Sequence, residues 1–222
     1  MDSALLRAAV TRSIEDRLLL EHPFYRRWEA GTLESSELAA YAEQYRFVER
    51  ALPLVLAGIE AGLDEGPARQ LVSANLADEL GRPVAHTELF ESFADAVGAR
   101  PQTPATGATE ALVATQLAAA RVGPRAGLGV LAAYELQAAD IAESKGVGLR
   151  ARYGFDDRGS RFWDVHATME AAHADWSIDA LAAMVDTPAE LAEVAEWATA
   201  GAEAWWAFLD DRQAAAPLGA SC

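Results

Sequence analysis

The chain has 222 residues, 51% of them hydrophobic, with 34 acidic against 18 basic side chains and a formal net charge of −16. It is too apolar for a disordered protein and long enough for one domain with a sizeable core. So large an excess of acid excludes nucleic acid and anionic membrane as partners, because both require a basic footprint.

Cys222 is the only cysteine, so an intramolecular disulfide and a thiolate metal cluster are excluded and a reducing cytoplasm is expected. The first twenty residues are broken by charges every few positions and lack the apolar stretch of a signal peptide. No run elsewhere reaches the length of a membrane span. Seventeen arginines stand against a single lysine, Lys145. An arginine stays protonated, whereas a lysine amine loses its proton on burial. The one retained lysine can therefore have a task of its own, although a bias of composition toward arginine gives the same count.

Residues 3–20 read as an amphipathic helix with Leu5, Leu6, Val10, Ile14 and Leu18 on its apolar side. Pro23 opens a short helix, FYRRWEA, that Gly31 closes. From Ser35 to Gly62 the spacing of Leu38, Tyr41, Tyr45, Val48, Leu52, Val55 and Ile59 predicts one long helix, kinked at Pro53. A helix over about 67–80 carries Glu79 at its end, and Gly81-Arg82-Pro83 interrupts the chain before VAHTELFESFADAVG resumes. ARPQTPATG is a loop. Helices at about 108–121 and 124–146 follow, the second placing Tyr134, Glu135 and Lys145 in an apolar sequence. After GFDDRGS a helix is expected over about 160–184. Thr187-Pro188-Ala189-Glu190 is a capping box that starts a last helix with the stripe Leu191, Val194, Ala198, Gly201, Trp205 and Phe208. No alternating strand pattern or repeat is found. The expected fold is all-α, a single bundle domain of seven to nine helices over 1–222, with a core at about 3–210 and a flexible tail at 211–222.

The stretch FWDVHATMEAAHADW sets His166, Glu170 and His173 at i, i+4 and i+7, one stripe of a helix. His86 follows Glu79 by seven residues. Three of the chain's four histidines thus have an acid at helical register. A single such pair is more simply a solvated or core histidine, but two clusters in a histidine-poor chain point to metal. Glu135 sits in an apolar helix, where a carboxylate needs a partner. Glu79, His86, Glu135, His166, Glu170 and His173 together supply three carboxylates and three imidazoles. That set suits two iron or manganese ions better than one zinc, with Asp78 or Asp175 orienting the histidines.

These residues carry a resemblance. E-x6-H at Glu79–His86, Tyr134-Glu135 with SKGVGL after it, and H-x3-E-x2-H at 166–173 resemble the haem-oxygenase-like diiron oxidases. HPFYRRWEAGTL and YAEQY match the wider superfamily, which includes thiaminase-like and pyrroloquinoline-quinone-synthase-like proteins. The resemblance covers about residues 20–185. It implies a haem-oxygenase-like bundle with two Fe(II), or an Fe/Mn pair, bound by the six residues above and O2 as co-substrate. Glu170 departs from the family, which most often has Asp there. The subgroup most similar is the chlamydial-type para-aminobenzoate synthases, which sacrifice their own tyrosine. Tyr25, Tyr41 and Lys145 fall where that subgroup has its key tyrosines and lysine.

The expected activity is thus a non-haem diiron oxidase or oxygenase acting on a small organic, amino-acid-derived molecule in specialised or cofactor metabolism. Tyr41, Tyr45 and Trp28 would line a dry pocket, and Arg46 would pair with a substrate carboxylate. The expected partners are the small-molecule substrate and a second copy in a homodimer, with no nucleic acid and no membrane. Three alternatives stand beside this reading: a self-sacrificing synthase consuming Tyr25 or Tyr41, a metal-free thiaminase-like or pyrroloquinoline-quinone-synthase-like enzyme or binding protein, and an interaction protein that uses Trp197 and Trp206. Lys145 lies ten residues after Glu135, about 80° around the helix and 15 Å along it. It is therefore expected at the rim of the pocket as a solvated charge, unless Gly146 and Gly148 end the helix and fold the chain back.

Overall fold

The computed structural model describes residues 1–81, 85–173 and 176–215, the side chains of 169–173 excepted. Ten α-helices and no strands are found among them: α1 Ser3–Ile14, α2 Pro23–Ala30, α3 Ser35–Ala61, α4 Pro67–Leu80, α5 His86–Ala96, α6 Gly107–Val122, α7 Pro124–Tyr153, α8 Asp157–His173, α9 Trp176–Ala182 and α10 Pro188–Ala214. The all-α bundle expected from the sequence is the fold observed.

Most of the helix boundaries follow from local chemistry. His22 caps α2 by accepting the Phe24 N–H on Nδ1 at 3.1 Å, and Gly31 ends it in the left-handed region at φ 72°. Thr187 and Glu190 form the capping box of α10. Pro53 is accommodated inside α3, although a proline carries no N–H to give to the preceding turn.

Four boundaries differ from expectation. α1 stops at Ile14 and two 3-10 turns follow, because Leu18 is extended and the Leu19 N–H is taken by the Gln137 side chain at 2.8 Å. The helix expected over 160–184 begins at Asp157 and is described as α8 and α9, on either side of residues 174–175, which lie outside the described residues. α10 continues into the expected tail as far as Ala214, since Arg212 is buried and donates to the Ala40 carbonyl at 3.4 Å. Finally, α7 runs through Gly146 and Gly148 to Tyr153. These glycines admit close neighbours instead of ending the helix. A Cβ at 148 would lie 2.9 Å from the Trp28 ring, and one at 146 would lie 2.8 Å from the Asp164 carboxylate.

The apolar interior forms two clusters. One gathers side chains of α1, α4 and α9 around the first part of α7, including Leu6, Val72, Leu128 and Ile178. The other gathers α2, α5 and α8 around its later part, including Phe24, Phe90, Ile141 and Trp163. Each fully buried Leu, Ile or Phe contributes about 1.5–3 kcal/mol relative to exposure. α3, α7 and α10 contribute to both clusters. α7 is wrapped by neighbours and therefore shows no single apolar stripe. Between the clusters lies a seam, crossed by α3 near Glu49, α7 near Glu135 and α10 near Trp205, and the polar side chains converge there.

Candidate metal centre and the lysine–tyrosine ring

Glu79 comes from the last turn of α4, His86 opens α5 and His166 lies within α8. Gly81 ends α4 with φ 77°, and Ala85 is extended just before His86 opens α5. One ligand atom of each of the three falls within 4.8 Å of the others. His86 Nδ1 is 3.1 Å from Glu79 Oε2, and the His86 and His166 rings are 4.6 Å apart. His166 donates its Nδ1–H to the Phe162 carbonyl at 2.8 Å, which leaves the Nε2 lone pair for a ligand. Burial, and then the neighbouring His86, lower its pKa to about 4, so the ring is neutral near pH 7.

Glu135 reaches the same place from α7 and accepts the Trp176 indole N–H at 3.4 Å. The cavity that Glu79, Glu135 and His166 border has a volume of about 40 Å³ and is also lined by Glu49, Gln116, Tyr45 and Tyr134. One water takes at least about 10–15 Å³ on such a measure, so the space bounded by the described residues holds a few waters or a diatomic. Two imidazoles and one carboxylate meeting at a point are the donor set of non-haem Fe(II) sites with open positions, and this set fits iron. The Glu170, His173 and Asp175 side chains lie outside the described residues.

The second constellation is where the structure departs furthest from the sequence reading. Lys145 is 2% exposed; it is not a solvated charge at the rim. α7 is buried on both the Glu135 side and the side 80° away, so a straight helix carries both residues inward. Lys145 Nζ lies 2.8 Å from the Tyr25 hydroxyl and 2.6 Å from that of Tyr41; the two hydroxyls are 2.9 Å apart. A neutral amine closes this triangle with every member donating once and accepting once. An ammonium, which cannot accept, would leave one phenolic hydrogen without a place in the triangle.

Five rings surround the amine, the nearest centroids being Trp163 at 4.1 Å and Tyr25 at 4.4 Å. Ring faces favour a cation, but desolvation of a fully buried ammonium outweighs them. The Lys145 pKa is accordingly driven well down by burial, against the opposing charge of Glu49. Burial raises both phenols, so Tyr25 and Tyr41 stay protonated.

Tyr45 joins the two regions. Its ring stacks on Tyr41 at 5.3 Å, and its hydroxyl meets that of Tyr134 at 2.9 Å on the cavity wall. Trp28 packs edge-on against Tyr41 at 5.3 Å and donates its indole N–H to the Lys145 carbonyl at 3.4 Å.

Arg46 is placed elsewhere. It grips Glu91 with its Nε and a terminal nitrogen at 2.8–3.1 Å and donates to the Arg100 carbonyl at 2.9 Å. One residue past Tyr45 on the helix, it points about 100° away from the cavity, so the expected carboxylate clamp is corrected to a structural ion pair. Trp206 packs on His22 at 4.7 Å and Trp197 is half-buried, so neither is a free partner surface.

The sequence reading missed Glu49 and Gln116. The available signal was a polar residue at inward register: Glu49 stands one turn after Tyr45, and Gln116 stands between Leu112 and Ala119.

The sequence model of the iron-containing redox enzymes matches residues 39–206. A 4-aminobenzoate synthase of Nitrosomonas europaea is 37% identical over 214 residues, covering 89% of this chain and 86% of that protein. The 4-aminobenzoate synthase of Chlamydia pneumoniae is 32% identical over 179 residues, covering 78% and 80%. Among solved structures, a domain of unknown function with a haem-oxygenase-like fold from Shewanella denitrificans superposes with a TM-score of 0.79 at 16% identity, covering 96% and 93% of the two chains. That likeness concerns the fold alone. The family match sets aside the metal-free reading, and no helix among the described residues is long and apolar enough to cross a membrane. The chain belongs to the family of iron-containing redox enzymes.

Proposed function

We propose that this chain is an O2-using non-haem iron oxidase that forms 4-aminobenzoate from its own side chains, Tyr25 or Tyr41 giving the ring and Lys145 the amine. The observation that carries this reading is the closed ring of Lys145, Tyr25 and Tyr41, a neutral amine held against two phenols and joined to the acid–imidazole cavity through Tyr45. The names of the two relatives agree with the product class.

Iron would be held by Glu79, His86 and His166, with Glu135, Glu170 and His173 as the ligands of a second iron or manganese. When bound, it would supply the activation of O2 that closed-shell side chains cannot perform. The chain's own residues do the rest. Phe162 fixes the His166 tautomer, Tyr45 and Trp28 keep water from the amine, and the phenols hold Lys145 unprotonated and aimed at a ring carbon. We further place the enzyme in a reducing cytoplasm, where Fe(II) is maintained, as one domain that forms a homodimer and acts independently of nucleic acid and membrane.

The test is turnover without added substrate. Protein loaded with Fe(II) and given O2 and a reductant should release no more than a single equivalent of 4-aminobenzoate per chain. Many equivalents, or an absolute need for an added organic molecule, would overturn the reading.

A further inference from the structure

Gln116 takes no part in either constellation, yet it faces one of them. It lies on the inward side of α6 with Thr109, Leu112 and Ala119 and is 3% exposed. Its side chain lines the cavity with Glu79, Glu135 and His166. Its amide oxygen is buried and has no hydrogen-bond partner among the described residues.

A buried amide oxygen left unbonded destabilises a fold, and a Leu of similar size would fill the space without that cost. Besides its acids, His166 and its aromatic side chains, the cavity is lined by Val48, Leu52 and Leu131. Packing therefore does not account for a glutamine here, whereas a ligand in the cavity does. The charged groups of the cavity are carboxylates and imidazoles, which are suited to the metal. A neutral amide competes weakly for a cation, does not titrate, and offers either an N–H or a carbonyl, since the two ends are interchangeable by a flip.

We infer that Gln116 is a binding residue for the small oxygen- or nitrogen-ended ligand, two or three atoms long, that shares the cavity with the iron. The inference rests on the iron reading above. It assigns to Gln116 the hydrogen bond that orients such a ligand against the metal from the α6 side, a role separate from holding the metal itself.

The test compares wild type with Gln116→Leu in three measurements, using azide as the probe. Iron uptake should be the same in both proteins. Azide binding to the oxidised, iron-loaded protein, followed by its optical charge-transfer band, should weaken about tenfold on loss of a hydrogen bond to a charged ligand. Thermal unfolding of the iron-free protein should hold steady or move to higher temperature, because the variant removes an unbonded buried oxygen. Unchanged azide affinity overturns the inference. A clear drop in the iron-free melting temperature also overturns it, since that would make Gln116 a structural residue. Failure of the wild type to take up iron overturns the iron reading itself and is distinguished from both by the uptake measurement alone.

Discussion

Glu79, His86 and His166 converge from three helices and turn lone pairs toward a common point, with a small cavity beside them. On α7, about 15 Å past Glu135, Lys145 forms a second buried polar cluster with Tyr25 and Tyr41, but there each hydrogen bond is answered inside the triangle. The difference between these regions lies in how their polar atoms are arranged. The first aims carboxylate and imidazole atoms from separate helices at one point beside a cavity, the arrangement a metal ion uses. A closed ring of amine and phenols needs nothing further, so no external molecule is required to explain it. In a reaction that joins the two, the first region is where a metal would act and the second is where the reacting groups already sit.

Replacing the amine should break the comparison most completely. Lys145→Met keeps an unbranched side chain of similar reach among the five rings, and the fold should tolerate it. Product should fall to zero while iron uptake stays unchanged, measured on the same sample by metal analysis and chromatography. Loss of iron together with product would mean that the regions are one structural unit, not two with separate roles.

The reverse change should be nearly as large. His166→Ala should weaken iron binding by at least about 100-fold, the upper range of what even an outer-shell partner costs. It should leave the environment of the buried tyrosines as in wild type, as read by near-ultraviolet circular dichroism. An unchanged iron content would remove His166 from the metal centre.

The smallest effect lies outside both regions and serves as a baseline. The Arg100 side chain holds Glu43 down at about 2, against an ordinary 4.5. A folded value below the unfolded one means that the folded state binds fewer protons. The stabilisation is therefore fully present above about pH 4.5 and is lost as pH falls toward 2. Glu43→Gln should flatten the acid limb of stability in that window without changing iron content or product. A change in either would show that the surface near α3 is coupled to the seam.

The two regions also differ in how far the sequence revealed them. His166 could be read because a helix converts spacing into direction, and because acid and imidazole are rare on an apolar stripe; Glu79 and His86 sit on separate helices and were legible from the pairing of acid and histidine, not from shared register. Lys145 resisted the same reasoning. Its distance along α7 was correctly placed, but its burial depends on α2 and α8 closing over it, and the small size of Gly146 and Gly148 admits them. In the sequence those glycines looked like a helix end, although their role is close packing. Arg46 failed for a related reason: helical register fixes where it points but not the partner it meets, which was Glu91. Glu49 and Gln116 were hidden within helices read only for their apolar positions.

The most direct test of the central claim follows the atoms. Protein is produced with heavy-carbon tyrosine and heavy-nitrogen lysine, loaded with Fe(II), and given O2 and a reductant with no organic substrate. Released 4-aminobenzoate should carry both labels, and mass spectrometry of the spent chain should show the loss at Tyr25 or Tyr41 together with a changed Lys145. Product free of label, or an intact Lys145 and intact tyrosines after turnover, would contradict the account.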